Sequence, residues 1–241
     1  MNDRIIVAIA PLRREPSDKS EMVSQALMGE ELLVLERQEK WSMIRLVNDG
    51  YEGWMDNKQF GVFAHEVATV ELSAPITRCV NDKGEVIWLP AASIVPQSWV
   101  SGESQQRWSG DAAGIEQCAR TFLNAPYLWG GRTILGMDCS GFTQLVLQLN
   151  GTSIPRDAYQ QAELGATISF VEESQTGDLA FFDNAEGRII HVGIVIRSAD
   201  GVVEIIHASG KVRLDSLDHQ GIFNKEQSSY SHKLRIIKRI V

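Results

Sequence analysis

Cys139 stands in the run Met137-Asp138-Cys139-Ser140-Gly141-Phe142, where an amphipathic helix should begin. Phe142, Leu145, Val146 and Leu149 recur at helical spacing, and Gly151 lies just past the end. A sulfur in the first turn of a helix sits among unpaired backbone N–H groups at the positive end of the dipole, which favours the thiolate and lowers its pKa. Asp138 is placed to cap that helix, and Gly141 leaves room for a substrate backbone. The chemistry such a cysteine does is nucleophilic attack on a carbonyl. Free cysteine is as often a small buried hydrophobe, and Cys139 by itself leaves both readings open.

A thiolate nucleophile needs a base that also protonates the leaving amine, and histidine suits both roles near neutral pH. Of the five histidines, His191 opens the apolar run His-Val-Gly-Ile-Val-Ile, with Gly193 keeping one face open, and His207 closes Val-Val-Glu-Ile-Ile-His. Two histidines at strand ends can meet at a sheet edge, one as base and the other holding its second ring nitrogen. Each also reads as an ordinary structural histidine. His65, His219 and His232 lack a matching context and read as structural. Tyr127 and Trp129 precede the pair Gly130-Gly131, which marks tight backbone and not a phosphate loop; both aromatics read equally as core.

These residues need elements to hold them. Helices are expected over 112–123, ended by Pro126, over 139–149, and over 157–164; strands follow at 179–182, 191–197, 202–208 and 233–240. Helices first and antiparallel-looking strands after favour an α+β class over a doubly wound sheet. The first hundred residues read as short strands at 5–10, 31–36, 41–47 and 51–55, with an Asn48-Asp49-Gly50 turn, which suits a small SH3-like barrel. A second series, at 68–72, 76–80, 85–89 and 91–95, suggests another, abbreviated barrel. The expected organisation is a first SH3-like domain at 1–58, a second at 59–98, a linker at 99–110 and a catalytic domain at 111–241. Trp99 and Trp108 would be odd in a free tether, so the linker should pack against something.

Composition narrows the class. With 241 residues, 44% hydrophobic and 22% charged, this is an ordinary globular chain, and a net charge of -8 argues against nucleic acid as a partner. The N-terminal apolar run spans six residues before Pro11, too short for a signal core or a membrane span. No membrane association is expected and a cytoplasmic location is, with a periplasmic or secreted one if a leader was removed. Three cysteines without paired spacing argue against a disulfide framework or a zinc site, and neither metal nor cofactor is expected.

Several ordered motifs carry a resemblance. The stretches Tyr-Leu-Trp-Gly-Gly at 127–131, Asp-Cys-Ser-Gly-Phe at 138–142, Gly-Asp-Leu-Ala-Phe-Phe at 177–182, His-Val-Gly-Ile at 191–194 and His-Ala-Ser at 207–209 resemble the NlpC/P60 family of cell-wall cysteine peptidases, over residues 111 to 241. The resemblance implies a papain-like α+β core, with Cys139 as nucleophile, His191 as base and His207 as the third, orienting residue. The oxyanion would be held by the Cys139 N–H, with Tyr127 as the nearest second donor.

Two SH3-like domains before such a core resemble enzymes that cleave the γ-D-glutamyl-L-diamino-acid bond of freed muropeptides. This implies a small muropeptide substrate with a free N-terminal L-alanine, and SH3-like domains packed against the catalytic domain. Asp138 and Ser140 would then meet the alanine ammonium, and Glu21 and Tyr51 would be wall residues from the first domain. Three rivals stand beside it: an envelope hydrolase acting on intact stem peptides, a non-catalytic wall-binding protein, and an acyl-transferring enzyme on the same scaffold.

Overall fold

Alternation of apolar and polar residues builds the N-terminal strands. Ile9–Arg13 buries Ala10 and Leu12, and Trp41–Leu46 buries Ser42, Ile44 and Leu46, so each strand gives one face to a core. The computed structural model describes residues 3–62, 68–100, 108–198 and 200–240; His65 and the 101–107 stretch of the expected linker lie outside them. The chain divides into two compact units. One comprises Met1–Arg107 and Trp129–Ile134, the other Trp108–Leu128 and Leu135–Val241.

In the N-terminal unit, strands β1 (Asp3–Ile5), β2 (Ile9–Arg13), β3 (Met22–Leu27), β4 (Glu31–Arg37), β5 (Trp41–Leu46), β6 (Glu52–Asp56) and β7 (Phe60–Gly61) form one antiparallel sheet ordered β3-β2-β6-β5-β4-β1-β7. The single apolar strand expected over 5–10 is two strands, because the chain turns between Ile5 and Ile9. Ile5, Ala10, Leu12, Leu32, Ile44, Met55 and Phe60 form its core. Strands β8 (Thr69–Glu71), β9 (Ile76–Val80), β10 (Val86–Pro90) and β11 (Ile94–Pro96) pair as β8–β11 and β9–β10 over a second core of Met28, Leu72, Cys79, Leu89, Val95 and Trp99. Trp99 is buried there and donates to Asp82 Oδ1 at 3.0 Å, as a packed tryptophan should.

The same unit takes in residues 129–134, which contain β12 (Arg132–Thr133). Arg132 is fully buried: its Nη2 donates to Glu30 Oε1 at 3.1 Å and its Nη1 to Gln25 O at 2.8 Å. Gly130 adopts φ 76°, and a Cβ there would sit 2.6 Å from Met22 O. Of the glycine pair, Gly130 thus marks tight backbone.

In the second unit, Asp111 caps α1 (Ala112–Thr121) by accepting from Gly114 N at 2.9 Å. β13 (Gly136–Met137) leads into α2 (Cys139–Leu149), followed by α3 (Ala158–Gln161). The strands β14 (Ala166–Ile168), β15 (Leu179–Asp183), β16 (Ile189–Arg197), β17 (Val203–Ser209), β18 (Lys211–Leu217), β19 (Gly221–Asn224) and β20 (Ser229–Arg239) run in the order β14-β20-β15-β16-β17-β18-β19. β19 pairs back onto β20, so β15 to β20 close into a six-stranded antiparallel ring. Ala180, Phe182, Val195, Ile205, Leu217, Ile222 and Ile237 pack into one core. Helices before antiparallel strands is the α+β arrangement expected; β18 and β19 were not foreseen.

Candidate active site

Cys139 is the first residue of α2, and Asp138 caps that helix by accepting from Gly141 N at 2.7 Å. The sulfur is buried, and the N–H groups of Val192 and Ser140 donate to it. This places Cys139 against the start of β16, where His191 stands. The helix terminus does not win the electrostatic contest anticipated from the sequence. Burial, followed by the Asp138 carboxylate, pushes the Cys139 thiol up to about 12, against the lowering by Val192 N–H, Arg156 and Ser140 N–H. At rest the Cys139 side chain is a thiol.

Sheet register brings the two histidines together inside neighbouring strands and not at strand ends. His207 in β17 pairs with Gly193 in β16, so His191, two residues earlier, points to the same face as a diagonal neighbour. Its Nε2 lies 2.8 Å from His207 Nδ1. A Cβ at Gly193 would sit 2.8 Å from His207 Cβ, so the glycine lets the His207 ring cross to its neighbour. Burial lowers His191 well below 6.5, with His207 and His232 adding to the shift, so the imidazole is neutral at rest.

Four residues absent from the expected site complete it. Asp215 Oδ2 lies 3.1 Å from His207 Nε2, and Arg213 forks Asp215 through Nε to Oδ2 at 2.7 Å and Nη2 to Oδ1 at 3.1 Å. Both come from β18, whose Lys-Val-Arg-Leu-Asp-Ser-Leu alternation was the available signal. That pattern reads as a polar solvent face, whereas Asp215 is only 1% exposed. His232 in β20, read as structural, stacks on His191 with ring centroids 4.1 Å apart at 18°. Arg156 is buried beside the Cys139 helix cap, its Nη1 3.0 Å from Asp138 Oδ1 and its Nη2 2.7 Å from Oδ2. Nothing in the spacing from 138 to 156 announced that pair.

Tyr127 pairs with Met137 in an isolated bridge, two residues before Cys139. Burial, then Cys139 and Asp138, push its phenol up to about 12, so it remains an O–H donor. Ser140 Oγ accepts from Arg156 Nη1 at 2.8 Å and lies 3.4 Å from Asp138 Oδ1. Glu21 and Tyr51 belong to the N-terminal unit. Glu21 accepts from Trp129 Nε1 at 2.8 Å and pairs with Arg14, while the Tyr51 hydroxyl lies 3.4 Å from Val23 O. No helix among the described residues is long and apolar enough to cross a membrane.

Comparison with known proteins fits this geometry. The model of the NlpC/P60 family matches residues 124–230, and that of the bacterial dipeptidyl-peptidase Sh3 domain matches residues 12–60. The γ-D-glutamyl-L-lysine dipeptidyl-peptidase of Bacillus subtilis (strain 168) is 34% identical over 206 residues, 72% of this chain and 69% of that protein. Dipeptidyl-peptidase 6 of Lysinibacillus sphaericus is 25% identical over 264 residues, 91% of this chain and 93% of that protein. Among solved structures, an NlpC/P60 family protein from Bacillus cereus ATCC 10987 superposes with a TM-score of 0.82 at 21% identity, covering 100% of this chain and 99% of that one.

Proposed function

The chain belongs to the NlpC/P60 family of cysteine peptidases, and from that premise we propose that it hydrolyses the γ-D-glutamyl-L-diamino-acid bond of small cell-wall peptides, releasing L-Ala-D-Glu. The observation that carries the catalytic reading is the buried Cys139 at a helix start, bonded by the N–H of Val192, whose chain neighbour His191 meets His207 at 2.8 Å. The substrate reading is supported by the names of the dipeptidyl-peptidase relatives and by the matching Sh3 domain.

In this mechanism His191 takes the thiol proton as Cys139 attacks the amide carbonyl. Proton transfer accompanies attack, because the resting pair is thiol and neutral imidazole. The oxyanion accepts from the Cys139 N–H, with the Tyr127 hydroxyl as second donor. The imidazolium then protonates the leaving amine, and water clears the thioester. His207 holds the His191 ring. Asp138 and Ser140 are assigned to the alanine ammonium. Because Arg156 already forks Asp138, they offer that ammonium hydrogen-bond acceptors and not an unpaired counter-charge. A cytoplasmic site of action is part of this proposal, as the setting for freed peptides; cell fractionation tests it.

The test is mass-spectrometric cleavage of L-Ala-γ-D-Glu-L-Lys and its diaminopimelate counterpart, each with a free and an N-acetylated alanine. Release of L-Ala-D-Glu from free-amine peptides alone, abolished in Cys139→Ala, is the expected outcome. Equal cleavage of acetylated peptides would leave a peptidase that accepts intact stems, and no cleavage by the folded, reduced chain would overturn the substrate class.

A further inference from the structure

A neutral histidine carries one ring N–H, and which nitrogen holds it is decided by its partners. Asp215 is buried, and its Oδ2 faces His207 Nε2 at 3.1 Å. Burial alone would raise the Asp215 carboxyl, but the hydrogen bonds from His207 and Arg213 hold it down at about 2, so it is an anion that only accepts. His207 is itself neutral, lowered by burial against the opposing pull of Asp215. Its one proton therefore sits on Nε2, and Nδ1 presents a lone pair. His191 Nε2, 2.8 Å from that lone pair, must be the donor. The single proton of His191 is thereby placed on Nε2 and its Nδ1 is left bare.

We propose that Asp215 is a positioning residue that sets the tautomer of the catalytic base through His207, so that His191 presents an unprotonated Nδ1 to Cys139. This rests on the reading of His191 as the base. The carboxylate reaches neither sulfur nor substrate; it acts by fixing two protons in series. Arg213 keeps it aimed, and Arg213 is in turn held by Asn224 Oδ1 at 3.1 Å and Glu226 at 3.3 Å. His232 also faces the ring pair, stacked on His191 at 4.1 Å and edge-on to His207 at 6.0 Å between centroids, with its Nδ1 2.9 Å from Ser231 Oγ.

Oδ2 accepts from both His207 Nε2 and Arg213 Nε, so Asp215→Asn can keep an oxygen there and preserve both tautomers. Asp215→Ala removes that acceptor and leaves only the Arg213 N–H donors to face His207 Nε2. The His207 proton then moves to Nδ1 and the His191 proton to Nδ1, where it blocks the thiol. In a Ser-His-Asp triad the wrong tautomer of the base costs about 10⁴ in kcat. With one more ring in series, Asp215→Ala should lower kcat by roughly 10²-fold or more with KM little changed.

The experiment reads tautomers directly, by nitrogen-15 NMR of the histidine rings in the full reduced chain without substrate. In the unaltered protein His191 and His207 should both carry their proton on Nε2, and in Asp215→Ala both on Nδ1. An Nδ1 proton on His207 in the unaltered protein overturns the proposal whether or not the variant folds. So does an Asp215→Ala variant that keeps kcat within threefold. A merely structural role would lower the melting temperature and leave both protons on Nε2; the proposal requires both to move in Asp215→Ala and to stay in Asp215→Asn. Since the spectra need no peptide, failure of the substrate assignment leaves this test intact, and peptide cleavage with the wrong tautomers defeats this inference alone.

Discussion

Arg156 closes a two-pronged bond on Asp138, with Nη1 3.0 Å from Oδ1 and Nη2 2.7 Å from Oδ2, one residue before Cys139. The carboxylate caps α2 and at the same time raises the neighbouring thiol, while the guanidinium offsets that rise. The guanidinium thus offsets part of what the cap adds to the thiol's rise.

Arg156→Met should therefore do two things. It leaves a buried carboxylate unpaired, which costs about 3–5 kcal/mol in denaturant unfolding. It also removes an influence that lowers the Cys139 pKa, so alkylation of the thiol at fixed alkaline pH should slow several-fold. An unchanged alkylation rate in a folded variant would show that Arg156 does not bear on the sulfur.

Gly193→Ala places a methyl 2.7 Å from Ile205 Cδ1 and 2.8 Å from His207 Cβ. Overpacking of this kind costs about 1–3 kcal/mol. The larger effect should be on kcat, because the relief available is to push the His207 ring away from His191. Full activity with a lowered melting temperature would mean that Ile205 alone absorbs the strain.

Acid should destabilise this fold from near pH 6.5 downward. His191 and His207 titrate below 6.5 in the folded chain, and His232 is lowered to about 4, by burial first and then by His207. The unfolded chain takes up protons as pH falls through about 6.5 while the folded chain refuses them, so stability present at neutral pH is lost between there and about pH 4. Asp215, held at about 2, extends the loss below about pH 3.8. Melting temperatures from pH 7.5 to 4.5 check this, and His232→Phe, which keeps the stacked ring, should flatten the decline. A melting temperature that holds constant across this range would refute the assignment.

Within the N-terminal unit, Arg132 and Glu30 form an ion pair at 0% and 3% side-chain exposure. Removing either partner alone, as in Glu30→Gln or Arg132→Met, should cost about 3–5 kcal/mol by leaving one charge buried, and the double change should recover much of it. Urea unfolding across the double-mutant cycle measures the coupling. Simple additivity would mean the pair is not what holds residues 129–134 to that unit.

Local signals in the sequence were enough to single out Cys139, His191 and His207 and to draw the helix that begins at the cysteine. Cys139 at a helix start is written in the 3.6-residue recurrence of Phe142, Leu145, Val146 and Leu149, and α2 runs over the expected residues. His191 and His207 were legible because each stands in an apolar run whose strand reading needs only nearest neighbours. Asp215, Arg213, Arg156 and His232 were not, because each acquires its role from a partner distant in sequence or from strand register. Asp215 lies on an alternating strand that looks solvated until closure of β19 onto β20 turns that face inward. Arg156 and Asp138 meet across 18 residues through a loop and a helix cap, a contact that no periodicity encodes. The sequence by itself marked the cysteine and histidines to which the proposed chemistry is assigned; tertiary structure decided their protonation, because burial and facing charges exist only once distant strands have closed around them.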